Sequence, residues 1–254
     1  MILSIDFGST NFKSALFDEE LNRMGAFSLS APYIHNDGSR VEMDADTVRE
    51  TLVELIENCC QNAGVGTESI TTFAAGSQAQ NFTVLDESGN ARYPVISWLD
   101  TRSSTEAEEL WKMYGADWHK HYSFSKLNGS MRLAHLLWLY RNKPQIFDDD
   151  YQIVTLPGLL FEMVGGVNLT DNNLEAMNGL YSLLKKDWRL EPIKECGITS
   201  ANLPKCVPVG SSVTVESNCS KLKLRKTITL VSAGNDQTAG AFGNGCQVDD
   251  IIAT

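Results

Sequence analysis

Four short stretches carry residue types whose spacing could do chemistry on a phosphate or a hydroxyl. Near the start, Asp6-Phe7-Gly8-Ser9-Thr10-Asn11 follows the mostly apolar run Ile2-Leu3-Ser4-Ile5, with Lys13 two residues on. An acid at the end of a buried strand, a glycine that allows irregular backbone, and paired hydroxyls with adjacent amides could hold a phosphate chain and its magnesium. The same residues also suit a plain hairpin turn. The second stretch, Gly76-Ser77-Gln78-Ala79-Gln80-Asn81, is polar and leaves an apolar run. The third, Trp98-Leu99-Asp100-Thr101-Arg102, sets an aromatic face beside a carboxylate and a guanidinium, an arrangement that suits polyols. A buried Trp beside a surface ion pair is the alternative. In the fourth, Thr227 to Val231 leads through Gly234 to Asp236 and the start of a helix from Thr238 to Phe242. Asp236 there is either a reacting carboxylate favoured by the helix dipole or only a helix cap.

The elements that must position these residues read as an α/β alternation. Three antiparallel strands come first: Ile2 to Ile5, Phe12 to Asp18 and Arg23 to Ser30. A polar loop with His35, Asp37 and Gly38 precedes Val41 to Asp44, then a helix from about Thr47, with Thr47 and Glu50 as a capping box. Ile70 to Ala75 is the next strand; Phe82 to Asp86 and Pro94 to Ser97 form a hairpin. A helix carrying Ala107, Leu110, Trp111 and Tyr114 on one face follows, then an apolar helix from Met131 to Tyr140, on which His135 reads as a core histidine. Tyr151 to Val154 is a strand, and Thr155-Leu156-Pro157 opens a helix that Gly165-Gly166 ends. Leu169 to Ala176 reads as a polar loop, Tyr181 to Leu184 as a short strand, and 196–220 as a long connection with little pattern.

Composition bounds the partners. The 254 residues hold 43% hydrophobic and 21% charged side chains, and 21 Lys and Arg against 32 Asp and Glu give a formal charge of −11. Nucleic acid and anionic membranes are therefore not expected partners, and the basic run Lys221 to Lys226 reads as the solvated face of an edge strand. The six cysteines form no CxxC pair and stand at no zinc spacing, as expected of reduced thiols in a cytoplasmic protein. No targeting segment is expected.

Taken together, the motifs resemble those of the FGGY family of carbohydrate kinases along essentially the whole chain. Ile5 to Thr10 is similar to the family's phosphate loop, with Lys13 as its following basic residue. Ser77 to Gln80 is similar to its Gln-centred loop, Trp98, Asp100 and Arg102 to its W-x-D-x-R segment, Thr170-Asp171 with Ala176 to its T-D-x-x-x-A segment, and Gly234 to Gly240 to its catalytic-aspartate segment. Gln80 stands where xylulokinase-like members commonly carry a His. The resemblance implies an actin-like, ribonuclease-H-like α/β domain: a mixed sheet, three antiparallel strands first, helices on both faces.

It also implies ATP-dependent phosphorylation of a sugar or polyol hydroxyl, a ketopentose such as xylulose being favoured by family base rate. Asp236 is the implied base. Gln78, Ala79, Gln80, Trp98, Asp100 and Arg102, with Asp236, are the implied sugar site. Asp6, Gly8, Ser9, Thr10, Asn11 and Lys13 would hold the nucleotide, and Asp6 and Asp236 its magnesium. Residues 1–245 would form the sugar-binding, base-bearing domain, with 246–254 beginning a nucleotide-binding domain whose remainder is absent. Alone, the lobe is expected to fold with an exposed apolar face and to be inactive. The alternatives are a non-catalytic sugar-binding or regulatory protein and another actin-like ATPase; the oligomeric state, with a homodimer as one option, is open.

Overall fold

The computed structural model describes residues 1–247. The start of a following domain, expected over 246–254, therefore falls almost wholly outside the described residues. Strand β1 (Ile2–Phe7) pairs antiparallel with β2 (Asn11–Phe17), which pairs antiparallel with β3 (Arg23–Ser30). β4 (Tyr33–Asn36) and β5 (Val41–Met43) follow, so His35 lies in a strand and not in the expected loop.

Helix α1 (Ala45–Asn62) starts two residues before Thr47. Its cap is Asp44, whose carboxylate accepts the Thr47 amide at 2.8 Å, and the expected Thr47–Glu50 box is not the device used. Val48, Leu52, Leu55, Ile56 and Cys59 are buried on one stripe, as their spacing predicts. β6 (Thr72–Ser77) lies two residues later than expected, and β7 (Phe82–Asp86) and β8 (Val95–Ile96) make the hairpin. Helices α2 (Ser104–Tyr114), α3 (Trp118–His121) and α4 (Arg132–Asn142) lead to β9 (Tyr151–Thr155) and α5 (Leu156–Gly165). As expected, Thr155 caps α5, accepting the Gly158 amide at 2.9 Å.

The next region departs from the sequence reading. Leu169 to Ala176 is not a loop but β10 (Leu169–Asp171) and α6 (Asn172–Ala176). β11 (Tyr181–Ser182) and β12 (Asp187–Trp188) form a small ribbon before α7 (Leu190–Lys194). The connection expected to lack pattern holds β13 (Lys205–Val207) and β14 (Ser212–Glu216), and β14 pairs antiparallel with β15 (Thr227–Asn235). The sheet edge is thus β14, and Lys221 to Lys226 is irregular, anchored by buried Leu222. α8 (Asp236–Gly243) closes the described chain.

The main sheet runs β14-β15-β6-β1-β2-β3, with β15, β6 and β1 mutually parallel. Alternation along β1 buries Leu3, Ile5 and Phe7, and these join Phe73, Leu230, the α1 stripe and Leu159, Leu160 and Val164 of α5 in one core. Ser4 and Asp6 point the other way and stay half-buried. A second, antiparallel sheet, β4-β5-β8-β7-β9, carries a second core built on α2 and α4 with Phe82, Trp118 and Leu136. Among the described residues no helix is long and apolar enough to cross a membrane.

Candidate active site

Phe7, Ser77 and Asn235, at the ends of the three parallel strands, are register partners across the sheet. The Gly8–Thr10 turn, the Gln78–Asn81 loop and Asp236 therefore leave the sheet along one edge, the carboxyl edge where α/β sheets gather ligands. Gly8 is required there, because a Cβ would meet the Asn11 carbonyl oxygen at 2.7 Å.

A cavity of about 130 Å³ opens beside this edge, lined by Gln78, Ala79, Gln80, Trp98 and Asp236, together with Phe124, Met177, Asn235 and Gln237. Five expected site residues thus share one space. Trp98 is 38% exposed, with its amide fixed by Asn81 Oδ1 at 2.6 Å. Gln78 is only 6% exposed, and neither polar atom of its carboxamide has a hydrogen-bond partner among the described residues. Gln80 takes a left-handed backbone, φ 78°, and its Nε2 donates to the Met177 carbonyl at 3.3 Å. A strained non-glycine residue at a ligand-facing loop costs about 1–3 kcal/mol and recurs at functional sites.

Asp100 and Arg102 are not brought into that cavity. Asp100 is fully buried: Oδ2 accepts the Val41 amide at 2.8 Å, and Oδ1 accepts Arg102 N at 3.0 Å and Nε at 2.9 Å, with His135 Nε2 at 3.3 Å. Arg102 also reaches Glu42 Oε1 at 2.7 Å and the Tyr93 hydroxyl at 2.9 Å. Burial pushes the Asp100 carboxyl up, but hydrogen bonds from His135, Arg102 and the Val41 amide outweigh it and hold the group well below the usual carboxylate range. Burial lowers His135, against the pull of Asp100, so the imidazole is neutral. The cluster ties β5 to the segment after Trp98, an effect the tryptophan feels through the turn from Ser97 to Asp100.

On the other side of the edge, Asp6 faces Lys13, with Nζ and Oδ2 3.7 Å apart. A second cavity, about 550 Å³, runs along the half-open sheet face past Ser4, Asp6, Lys13 and Ala15. Burial raises the Asp6 carboxyl, Lys13 pulls it down, and the charge of Asp236 raises it further. Two carboxylates in one electrostatic field with hydroxyls nearby form a fitting donor set for magnesium, which takes one or two carboxylates and completes its shell with water and phosphate oxygens. No group of three or more His, Cys, Asp or Glu side chains gathers as a metal cage among the described residues.

Asp236 does not cap α8. Asn235 does, its Oδ1 accepting the Gln237 amide at 3.1 Å, and Asp236 occupies the first helical position, its Oδ1 also accepting that amide at 2.8 Å. Gly234, φ 79°, admits the turn: a Cβ would lie 2.8 Å from Val209 Cγ2 and 2.9 Å from Asn173 Oδ1. The sequence reading missed Phe124 and Met177 as cavity walls, which sit in segments without periodicity. It also left Asn173 unassigned, although Asp171-Asn172-Asn173 has the composition of a helix start.

The model of the FGGY family of carbohydrate kinases, N-terminal domain, matches residues 1–243. An L-fuculokinase of Escherichia coli (strain K12) is 22% identical over 262 residues, covering 99% of this chain and 54% of that protein. A ligand-bound xylulose kinase from Lactobacillus acidophilus superposes with a TM-score of 0.85 at 18% identity, covering 96% of this chain and 50% of that one. A gluconate kinase from Lactobacillus acidophilus gives 0.81 at 18% identity, with 92% and 47% covered. The chain spans about half the length of the relatives it matches.

Proposed function

The chain belongs to the FGGY family of carbohydrate kinases, and from that premise we propose that it is the sugar-binding, base-bearing part of an ATP-dependent kinase acting on a sugar or polyol hydroxyl. The observation that carries this reading is the meeting of Asp236 with Trp98, Gln78 and Gln80 around one cavity at the carboxyl edge of the sheet.

A sugar hydroxyl is a weak nucleophile at neutral pH. Asp236 accepts its proton as the oxygen attacks the terminal phosphorus of ATP; the bond from phosphorus to the bridging oxygen breaks, ADP leaves, and the proton passes from Asp236 to solvent. With Oδ1 held by the Gln237 amide, Oδ2 has no partner among the described residues and is the oxygen available for that proton. Trp98 offers a face to the C–H side of the sugar, and the carboxamides of Gln78 and Gln80 offer both donors and acceptors to hydroxyls. Asp100 and Arg102 support the Trp98 segment from behind. Asp6, Gly8, Ser9, Thr10, Asn11 and Lys13 form the nucleotide side, and Asp6 and Asp236 would hold magnesium, which when bound offsets phosphate charge.

Among the described residues, no Lys, Arg or His lines the cavity. That favours an uncharged substrate, a ketose or polyol of about five carbons by family base rate, over a sugar acid, whose carboxylate would be buried without a counter-charge. A further domain, beginning after about residue 245, would complete the nucleotide site; the half-length match and the half-open sheet face support this. The protein is read as cytoplasmic, without nucleic-acid or membrane partners.

The test is Asp236→Asn in the protein as expressed from its natural gene. Sugar binding by calorimetry is expected to persist while turnover falls by about 10²–10⁴. Near-normal turnover would sink the assignment.

A further inference from the structure

The first turn of α6 reaches across to the turn that carries Asp236. Asp171, fully buried, accepts four hydrogen bonds: the Asn173 and Leu174 amides on Oδ1, both at 2.9 Å, and the Ser232 hydroxyl at 2.5 Å and Gly234 amide at 3.0 Å on Oδ2. One carboxylate therefore caps α6 and fixes the residue two before Asp236. Next to it, Asn173 Oδ1 accepts the Asn235 amide at 2.8 Å. The amides of residues 234 and 235 are thus held by the cap of α6 and by its first turn, and Asn235 in turn caps α8.

The anchor behind α6 is firm. Glu175 on its buried side pairs with Arg132 of α4 at 2.7 Å and accepts the Thr170 hydroxyl at 2.8 Å. At the helix's other end Met177 forms a wall of the cavity and receives the Gln80 carboxamide. Both sides of the cavity are therefore referred to the same five-residue helix.

We propose that Asp171 and Asn173 are positioning residues that set the Asp236 carboxylate, through the Gly234 and Asn235 amides, for proton transfer from the sugar hydroxyl. This rests on the reading of Asp236 as the base. The distances leave little slack. Asp171→Asn leaves one oxygen for two pairs of donors, so its NH2 must face N–H groups either at Gly234 or at Asn173 and Leu174, and Asn173→Ala leaves the Asn235 N–H without its acceptor. Asn173→Asp keeps that acceptor.

Steady-state kinetics on the natural protein is expected to show kcat lowered about 10²-fold by Asn173→Ala, the scale of a 1 Å misplacement, with the sugar KM nearly unchanged and with recovery in Asn173→Asp. Asp171→Asn is expected to behave like Asn173→Ala. On the chain itself, amide hydrogen exchange at Gly234 and Asn235 is expected to quicken in Asn173→Ala while the amides of β1 and β6 keep their protection. Unchanged kcat and unchanged exchange at Asn235, or a rise in KM at constant kcat, overturns the proposal while leaving the base in place. If Asp236→Asn itself retains turnover, the base assignment fails and the positioning role fails with it.

Discussion

Trp98 and Gln80 are the side chains through which this cavity would read a substrate, and each makes a separable prediction. Trp98 is exposed while its backbone is pinned by Asn81, so Trp98→Ala removes a binding face and leaves the fold alone. The sugar KM is expected to rise about tenfold, about 1.4 kcal/mol, with kcat little changed, the signature of lost uniform binding. Gln80 holds a left-handed backbone. Gln80→Gly relieves that strain, and the melting temperature is expected to rise by about 2–4 °C, as about 1 kcal/mol gives in a chain of this size, while calorimetry shows weaker sugar binding. A fall in both would mean that the Met177 bond matters more than the strain.

At the scale of elements, the cluster joining β5, α4 and the Trp98 segment predicts acid sensitivity. His135 is held below its ordinary 6.5 by burial, so its contribution to stability is complete above about pH 6.5 and is lost as pH falls towards the folded value. Asp100 is held low by its donors, so its contribution is complete above about pH 4 and is lost on further acidification. The melting temperature is expected to fall between pH 7 and 5 and again below pH 4; His135→Gln should flatten the first limb and Asp100→Asn the second. Unchanged slopes in both variants would remove this cluster from the acid response. The same cluster shows why part of the site was hidden in the sequence. Trp98-x-Asp100-x-Arg102 reads as a polyol clamp or as a buried Trp beside a surface ion pair, and the structure shows neither: Trp98 is exposed and the pair is buried, because Glu42 and His135, which decide the matter, stand far off in the chain. The long patterned elements were legible: β3 has the bounds its residues predict, and the α5 cap is where Thr155-Leu156-Pro157 places it. α6 was not legible, since five residues cannot display a helical period and its anchor is the tertiary Arg132–Glu175 pair. β14 escaped because Ser212-Val-Thr-Val-Glu216 is a strand by its pairing with β15 more than by its own length.

For the whole molecule, the half-open face of the main sheet is the feature with most to say about assembly. Ala26, Ala15, Ser4, Ala74 and Val231 are register partners in one row across it, and the first four are small enough to allow another element to approach closely. If a further domain covers this face, Ala15→Glu should change the stability of residues 1–247 by no more than about 0.5 kcal/mol, the range of ordinary surface substitutions, and should sharply reduce turnover in the natural protein. Equal, small effects in both would leave the face as plain surface. The register of Phe7, Ser77 and Asn235 carries a separate consequence. Neighbouring strands repeat at about 4.8 Å, so the ends of β1 and β15, two strands apart, are held about 10 Å from one another by backbone pairing alone. The interval between the strand ends at Asp6 and Asp236 is therefore set by peptide hydrogen bonds, which substitutions other than proline leave in place. A chain can thus differ from a relative at most positions, as it does at 22% identity to an L-fuculokinase of Escherichia coli (strain K12), while strand pairing alone still rules that interval.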